Sequence, residues 1–185
     1  MTKTQSEIAQ DIFDFLPETY DVPNSGGNYM KFSAGENKFR ILQSPILGWE
    51  LWINNKPKRY PMNVEVPIED QENADIDPAT SMPKPAKHFW AMFVWNYQLK
   101  KVQALEITQK GIQASLKALA KSSEWGSPLG YDISIIKEGQ KFETKYQVVP
   151  NPPKDLPEEA REFWKNVKNK YDISALFVGG DPFKV

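Results

Sequence analysis

The chain of 185 residues has no cysteine, one histidine and a net charge of only −1. Without cysteine there is no disulfide framework, no thiolate nucleophile and no zinc site that needs sulfur ligands, which fits a reducing compartment. The single histidine, His88, supports neither a His-based metal centre nor a catalytic triad, and at the start of a strand it reads as an ordinary polar edge residue. The longest unbroken apolar run, Phe89 to Trp95, is far below membrane-spanning length. The first residues lack a charged n-region followed by an apolar stretch, so the chain reads as soluble and unsecreted. Neither a phosphate-cradling Gly-Lys-Ser/Thr loop nor a dinucleotide fingerprint is present. No cofactor is expected, and the pattern points to a binding protein and not to an enzyme.

What the sequence does have is a 12% aromatic content and charge that is segregated along the chain. Residues 82–121 hold Lys84, Lys87, Lys100, Lys101, Lys110, Lys117 and Lys121 against one acid, Glu106. Residues 61–81 hold Glu65, Glu69, Asp70, Glu72, Asp75 and Asp77 with no base. Such segregation becomes a basic face if the fold gathers it. The acidic block lacks a glycine-anchored calcium pattern and reads as a solvated loop; a magnesium-dependent hydrolase is the remote alternative.

Three zones follow from composition. Residues 1–36 form an N-terminal arm with one short apolar cluster (Ile8, Ile12, Phe13, Phe15, Leu16) followed by prolines and glycines. Residues 37–150 alternate apolar and polar residues in several short stretches, the period-2 signature of half-buried strands, and form the folded body. A long first strand runs from Asn37 to Ile53, bent at Pro45 and Gly48. A proline-rich loop occupies 54–86. The second and third strands, 88–97 and 101–107, form a hairpin. Thr108 caps a helix carrying Ile112, Leu116 and Leu119 on one face. The fourth and fifth strands, 131–136 and 141–149, flank a turn at 137–140. The order of three strands, helix, two strands predicts a mainly β chain, a five-stranded OB barrel. Residues 151–185 supply a C-terminal helix near 156–170, with Glu158 and Glu159 in its first turn and lysines toward its end, and then a flexible tail.

Flat aromatic faces and phosphate-tracking cations are the two requirements for holding unpaired nucleic-acid strands. Trp52 precedes a cluster of Lys56, Lys58, Arg59 and Tyr60. The second strand carries Trp90, Met92 and Val94 on one face and Phe89, Phe93, Trp95 and Tyr97 on the other. A barrel strand turns only one face to the core, so one set is surplus. Either that surplus is a base-stacking platform or a neighbouring element, such as the arm or the C-terminal helix, covers it; the hairpin register decides which face is outward. Arg40 alternates with Phe39 and Ile41 and is expected on the surface near Trp52. Lys100 and Lys101 at the hairpin tip, and Lys137 and Lys141 at the last turn, are either strand-gripping cations or plain surface lysines. The candidate DNA-binding set is therefore Arg40, Trp52, Lys56, Lys58, Arg59, Tyr60, Trp90, Trp95, Lys100 and Lys101. The alternative is an OB-fold module that binds another protein through the same aromatics.

Several stretches together carry a resemblance: 28–32 followed by 35–42, the pair Trp49 and Trp52, Lys58-Arg-Tyr60, the run 87–97, then 105–109, 125–128 and 131–133. Over roughly residues 28–153 the chain resembles phage-encoded single-stranded DNA-binding replication proteins with an OB core. The resemblance implies coating of single strands in phage DNA replication, recombination and repair, in the cytoplasm of an infected bacterium. Some larger proteins of this class hold a structural zinc; this chain has no cysteine for it, so a metal-free barrel is implied. The stretch Asp181-Pro-Phe183 is similar to the ending of bacterial single-strand binders, and implies phage or host replication proteins as partners of Phe183. No membrane partner is implied.

Overall fold

The computed structural model describes residues 27–184, so the apolar cluster of the N-terminal arm lies outside the described residues. The elements in chain order are β1 (Tyr29–Met30), β2 (Gly35–Ile41), β3 (Ile46–Ile53), β4 (Lys56–Pro61), α1 (Ile68–Glu72), β5 (Ile76–Asp77), β6 (Met82–Pro83), β7 (Lys87–Asn96), β8 (Lys101–Ile107), α2 (Lys110–Lys121), β9 (Ile133–Glu138), β10 (Lys145–Pro150) and α3 (Glu158–Val167). Helical turns of the 3-10 type lie at Pro128–Gly130, Lys141–Glu143 and Ile173–Val178. No described helix is long and apolar enough to cross a membrane.

β2 and β3 are the two halves of the bent first strand, and both pair antiparallel with β7: Phe39 stands opposite Asn96, and Glu50 opposite Lys87. The bend falls at Pro45, which has no N–H to give to a ladder. The main sheet runs β1-β8-β7-β2-β9-β10, with the β3–β4 hairpin attached to β7. All pairings in it are antiparallel except β1 with β8, so the sheet is mixed. The expected closed barrel is not what forms. Among the described residues no ladder joins β8 to β10, because the free edge of β8 is already taken by β1, with Tyr29 opposite Ala104. Helix α2 instead lies near β10, and its Ile112 and Leu116 enter the core there.

The period-2 alternation gives each strand two different faces. On the inner face Phe39, Ile41, Met92, Val94, Leu105, Ile107, Ile133 and Ile135 close on Ile112 and Leu116 of α2. The outer face of β7 and β8 carries Phe89, Ala91, Phe93, Trp95, Val102 and Ala104, all nearly inaccessible. What seals it is the C-terminal segment: Ala160 of α3 and Ile173 and Leu176 of the last 3-10 turn pack on it, with Trp164, Tyr171 and Phe183 around them. Phe93 alone touches the rings of Trp164, Tyr171 and Phe183, with centroids 5.3–5.6 Å apart. The expected flexible tail is corrected accordingly. Residues up to 183 are part of a second core, and a Phe183 ring held among Tyr29, Phe93 and Tyr171 is not free to recruit a partner.

Three other expectations change. The loop read over 54–86 contains a strand, β4, paired with β3 from Gly48–Pro61 to Ile53–Lys56. Asn54 and Asn55 both take positive φ (51° and 59°), the two-residue turn that matches strand twist, and Pro57 is tolerated because β4 is an edge. Helix α2 starts after Gln109, which caps it without a side-chain hydrogen bond, and not after Thr108. In the stretch read as an N-terminal arm outside the folded body, Met30 is buried in the inner core.

Gly48 marks the closest approach of the two layers. A Cβ there would meet the Tyr60 carbonyl oxygen well inside van der Waals contact, and the Phe177 and Phe89 rings at 2.9 Å. Backbone cannot yield as a flexible side chain can. Gly48→Ala is therefore expected to destabilise the chain by about 1–3 kcal/mol, the range for overpacking. A urea midpoint unchanged from wild type would contradict this placement.

Candidate nucleic-acid interface

The register of β3 with β4 separates residues that stand together in sequence. Glu50 is opposite Arg59 and Trp52 opposite Pro57, so these share the outer face; Leu51 is opposite Lys58 and Trp49 opposite Tyr60, on the other. The expected cluster of Trp52 with Lys56, Lys58 and Tyr60 is thus divided between two sides of one hairpin. On the second side Lys58 pairs with Asp70 of α1 at 2.6 Å and Tyr60 donates its hydroxyl to the same carboxylate. Those two partners hold the Asp70 carboxyl below the usual carboxylate range. This is how α1 is tied to the sheet, with Lys58 already paired.

Arg40 is also corrected. It does point to the outer face, opposite Trp95, but that face is covered, and its side chain is 4% exposed. Its Nε donates to Asp132 Oδ1 at 2.8 Å and its Nη2 to the Lys154 carbonyl at 2.8 Å. Asp132 is fully buried, accepts from the Tyr97 hydroxyl at 2.8 Å and lies 3.1 Å from Lys154 Nζ. Burial acts to raise its pKa, but the Tyr97 and Lys154 hydrogen bonds and the Arg40 charge outweigh it and hold the carboxyl low. Burial, then the bond to Asp132, push the Tyr97 hydroxyl up.

Trp95, 3% exposed, lies in the covered core beside Phe163. Trp90 is on the inner side, half-buried, and donates its indole N–H to His88 Nε2 at 3.1 Å. His88 therefore accepts at Nε2, and its Nδ1 carries the proton toward the Gly48 carbonyl at 2.8 Å. The imidazole thus links the Trp90 indole to the Gly48 carbonyl. The outer aromatics of β7 do not form the platform; the covering element does exist, and it is the C-terminal one.

What remains open on the outer face is the end beyond that cover. Trp52 is 43% exposed, and its indole N–H donates to Glu50 Oε1 at 3.1 Å, which fixes the ring plane. Its backbone carbonyl accepts from Asp75 N at 2.7 Å, and the Asp75 carbonyl accepts from Lys84 N at 2.9 Å. This two-step relay brings Lys84 beside Trp52. Lys87 arrives by strand register, directly opposite Glu50. Trp52, Lys84, Lys87 and Thr108 line one cleft of about 440 Å³, with Asp75 and Glu50 as its acids. Neither lysine makes an ion pair among the described residues. Sequence reasoning found Trp52 and missed Lys84 and Lys87 as site residues. Lys56 is exposed on the opposite side of the hairpin. Lys100 is exposed at the β7–β8 tip with φ 48°, and Lys101 begins β8 opposite Asn96, both remote in register from Trp52. Lys137 donates to the Phe32 carbonyl, while Lys141 and a fully exposed Phe142 stand at the β9–β10 turn.

Beneath the cleft sit Glu50, Arg59 and Glu106. Arg59 donates Nε and Nη2 to the two oxygens of Glu106 at 3.0 and 2.8 Å. Its Nε is also 2.8 Å from Glu50 Oε2, a buried oxygen that receives no hydrogen bond. One guanidinium thus serves two carboxylates. Burial pushes the Glu106 carboxyl up to about 8, and Glu50 adds to the rise against the pull of Arg59. A proton held by Glu106 satisfies the orphaned Glu50 oxygen and leaves the trio neutral.

Over 153 aligned residues the chain is 27% identical to a probable ssDNA-binding protein of Escherichia phage T5, covering 71% of this chain and 58% of that one. The chain thus spans less than two thirds of that relative's length. No family model matches, and no solved structure matches.

Proposed function

We propose that this chain binds single-stranded DNA without reading its sequence, making and breaking no bond, and that it coats such strands in phage DNA replication, recombination and repair inside an infected bacterium. The observation that carries the reading is Trp52: an exposed indole held by its own N–H, with Lys84 and Lys87 beside it at the open end of the outer face. A ring so oriented offers stacking to any base, and the lysines offer counter-charge to the flanking phosphates. The similarity to the phage T5 protein supports the same ligand. The strand order third, second, first, fourth, fifth, with a helix between third and fourth, supports an OB descent in which β1 takes the place of barrel closure. Lys56, Lys58 and Tyr60 on the other side of the hairpin, and Lys100 and Lys101 at the β7–β8 tip, are secondary contacts in this reading; Arg40, Arg59 and Trp95 are committed to the fold.

The test is a titration with oligo-dT followed by tryptophan fluorescence at two salt concentrations, with a duplex of equal length as control. Single-strand-selective quenching is expected, with an affinity slope of about −0.7 per phosphate contact. Trp52→Ala is expected to weaken binding about tenfold or more, since one stacked base is worth about 1–3 kcal/mol. Absence of binding by the wild type at low salt would overturn the reading in favour of a protein-interaction module.

A further inference from the structure

An apolar cavity lies away from Trp52, on the inner side, between α2, β7 and the Pro128–Gly130 turn. It has a volume of about 410 Å³ and is walled by Trp90, Met92, Leu116, Ala120, Pro128 and Leu129. Its remaining lining includes Lys117 and Lys121, with Ser44 and Ser127 as the only other polar residues, and no acid. Among its lining residues Leu129 is 42% exposed, so the cavity is reachable from solvent on that side.

Helix α2 connects the two places. Thr108, two residues before its first turn, lines the Trp52 cleft, and Lys117 and Lys121 border the cavity at its other end. Its sequence holds Lys110, Lys117 and Lys121 and no acidic residue, and none of the three makes an ion pair among the described residues. Lys117 and Lys121 are four residues apart, hence neighbours on one helix face, about 5–6 Å between their Cβ atoms. From Lys110 to Lys121 the helix rises about 16 Å. A line of unneutralised cations ending at an apolar slot is complementary to a chain that repeats anionic and flat apolar groups.

We propose that this cavity is a nucleotide subsite. Resting on the single-stranded DNA reading above, it takes one unstacked base of the bound strand against Trp90, with the adjoining phosphate between Lys117 and Lys121. The base enters from solvent past Leu129. Trp90 is suited to receive it because its indole N–H is already bonded to His88, so the ring does not rotate away when the slot fills. Ser44 and Ser127 offer hydroxyls that donate or accept, which suits a site that does not discriminate among bases. Strands too short to span from Trp52 to the cavity use only one of the two places.

Three full-length variants test it. Ala120→Phe fills the slot from an exposed helix position, Lys117→Ala/Lys121→Ala removes the phosphate contact, and Trp52→Ala reports the other end. Thermal unfolding of each confirms the fold. With oligo-dT long enough to span both places, Ala120→Phe is expected to weaken binding about tenfold. The same variant is expected to bind an abasic oligomer of equal length as wild type does. The double lysine variant is expected to flatten the salt slope by about 0.7, the share of the one phosphate held between the two lysines. As a separate arm, dTMP alone is expected to shift the Trp90 indole resonance in wild type and not in Ala120→Phe. If wild type binds oligo-dT and Trp52→Ala impairs it while the cavity variants bind like wild type, the subsite is overturned and the DNA reading stands. If the wild type binds no oligo-dT but dTMP still shifts Trp90, the DNA reading fails and the nucleotide slot stands alone. Loss of both overturns both.

Discussion

Asp132→Ala is expected to cost about 3–5 kcal/mol of stability, the range for stripping one partner from a buried ion pair. The substitution leaves the Arg40 guanidinium, 4% exposed, without its carboxylate, with Lys154 and Lys38 still near the vacated position and the Tyr97 hydroxyl without its acceptor. For a chain of this size that loss corresponds to a fall in melting temperature of about 10 °C or more. Arg40→Met combined with Asp132→Ala is expected to recover a large part of it, because an apolar pair of similar shape does not need desolvated charges to match. Guanidinium unfolding at neutral pH measures both. The acid side follows from the same site. The carboxyl is held low in the folded chain, so its contribution is present above the ordinary Asp value of 3.8 and is lost as pH falls through the depressed one. A near-neutral Asp132→Ala would mean that Arg40 is a surface residue after all, available to a phosphate.

Glu106→Gln is expected to act in the opposite direction. The Glu106 carboxyl titrates at about 8 in the folded chain against an ordinary 4.5, so between those values the folded chain keeps a proton that the unfolded chain releases. Stability at this site therefore falls as pH rises from about 4.5 to about 8. The groups that face it are Glu50 on β3 and Arg59 on β4, with Tyr29 of β1 nearby. Glutamine has no proton to lose, so the gain over wild type should be near zero at pH 5 and reach about 2–4 kcal/mol at pH 8. Full linkage would set a higher ceiling, and the bidentate bond to Arg59 that an amide cannot reproduce takes back about 1 kcal/mol. Urea midpoints at pH 5, 6.5 and 8 decide it: wild-type and variant curves that stay parallel across the range would rule out a shared proton. Above pH 8 the wild type also gains a negative charge under Trp52, so oligo-dT binding should weaken there in wild type and not in the variant.

Much of this fold is legible in the sequence because its signals are local. Alternation marked the strands that became β2, β3, β7, β8, β9 and β10, and Pro157, Glu158 and Glu159 marked the start of α3. β4 was not legible as a strand because Pro57 and Pro61 argue against one; the overlooked signal is the Asn54-Asn55 pair, whose positive φ values make the turn. The site was half legible. Trp52 announces itself, whereas Lys84 and Lys87 lie in a proline-rich stretch and reach it only through the Asp75 relay and the β7 register. For Arg40, alternation gave the correct face and the wrong environment, since whether an outer face meets water depends on a segment more than a hundred residues away. The same holds for Phe93 and Trp95. An aromatic spaced for base stacking and one spaced for packing under a helix look alike in one dimension.

The sealing of the outer face by residues 156–183 sets a condition on biosynthesis. The strip of Phe89, Ala91, Phe93 and Trp95 is made long before the segment that covers it. While the nascent chain still lacks α3 and the last 3-10 turn, β7 and β8 are complete as a hairpin yet present a naked aromatic stripe, the kind of surface through which unfinished chains associate. Contacts of such sequence separation also form late and slowly. A chain cut before residue 156 is thus expected to associate through this stripe, and the full-length chain is not.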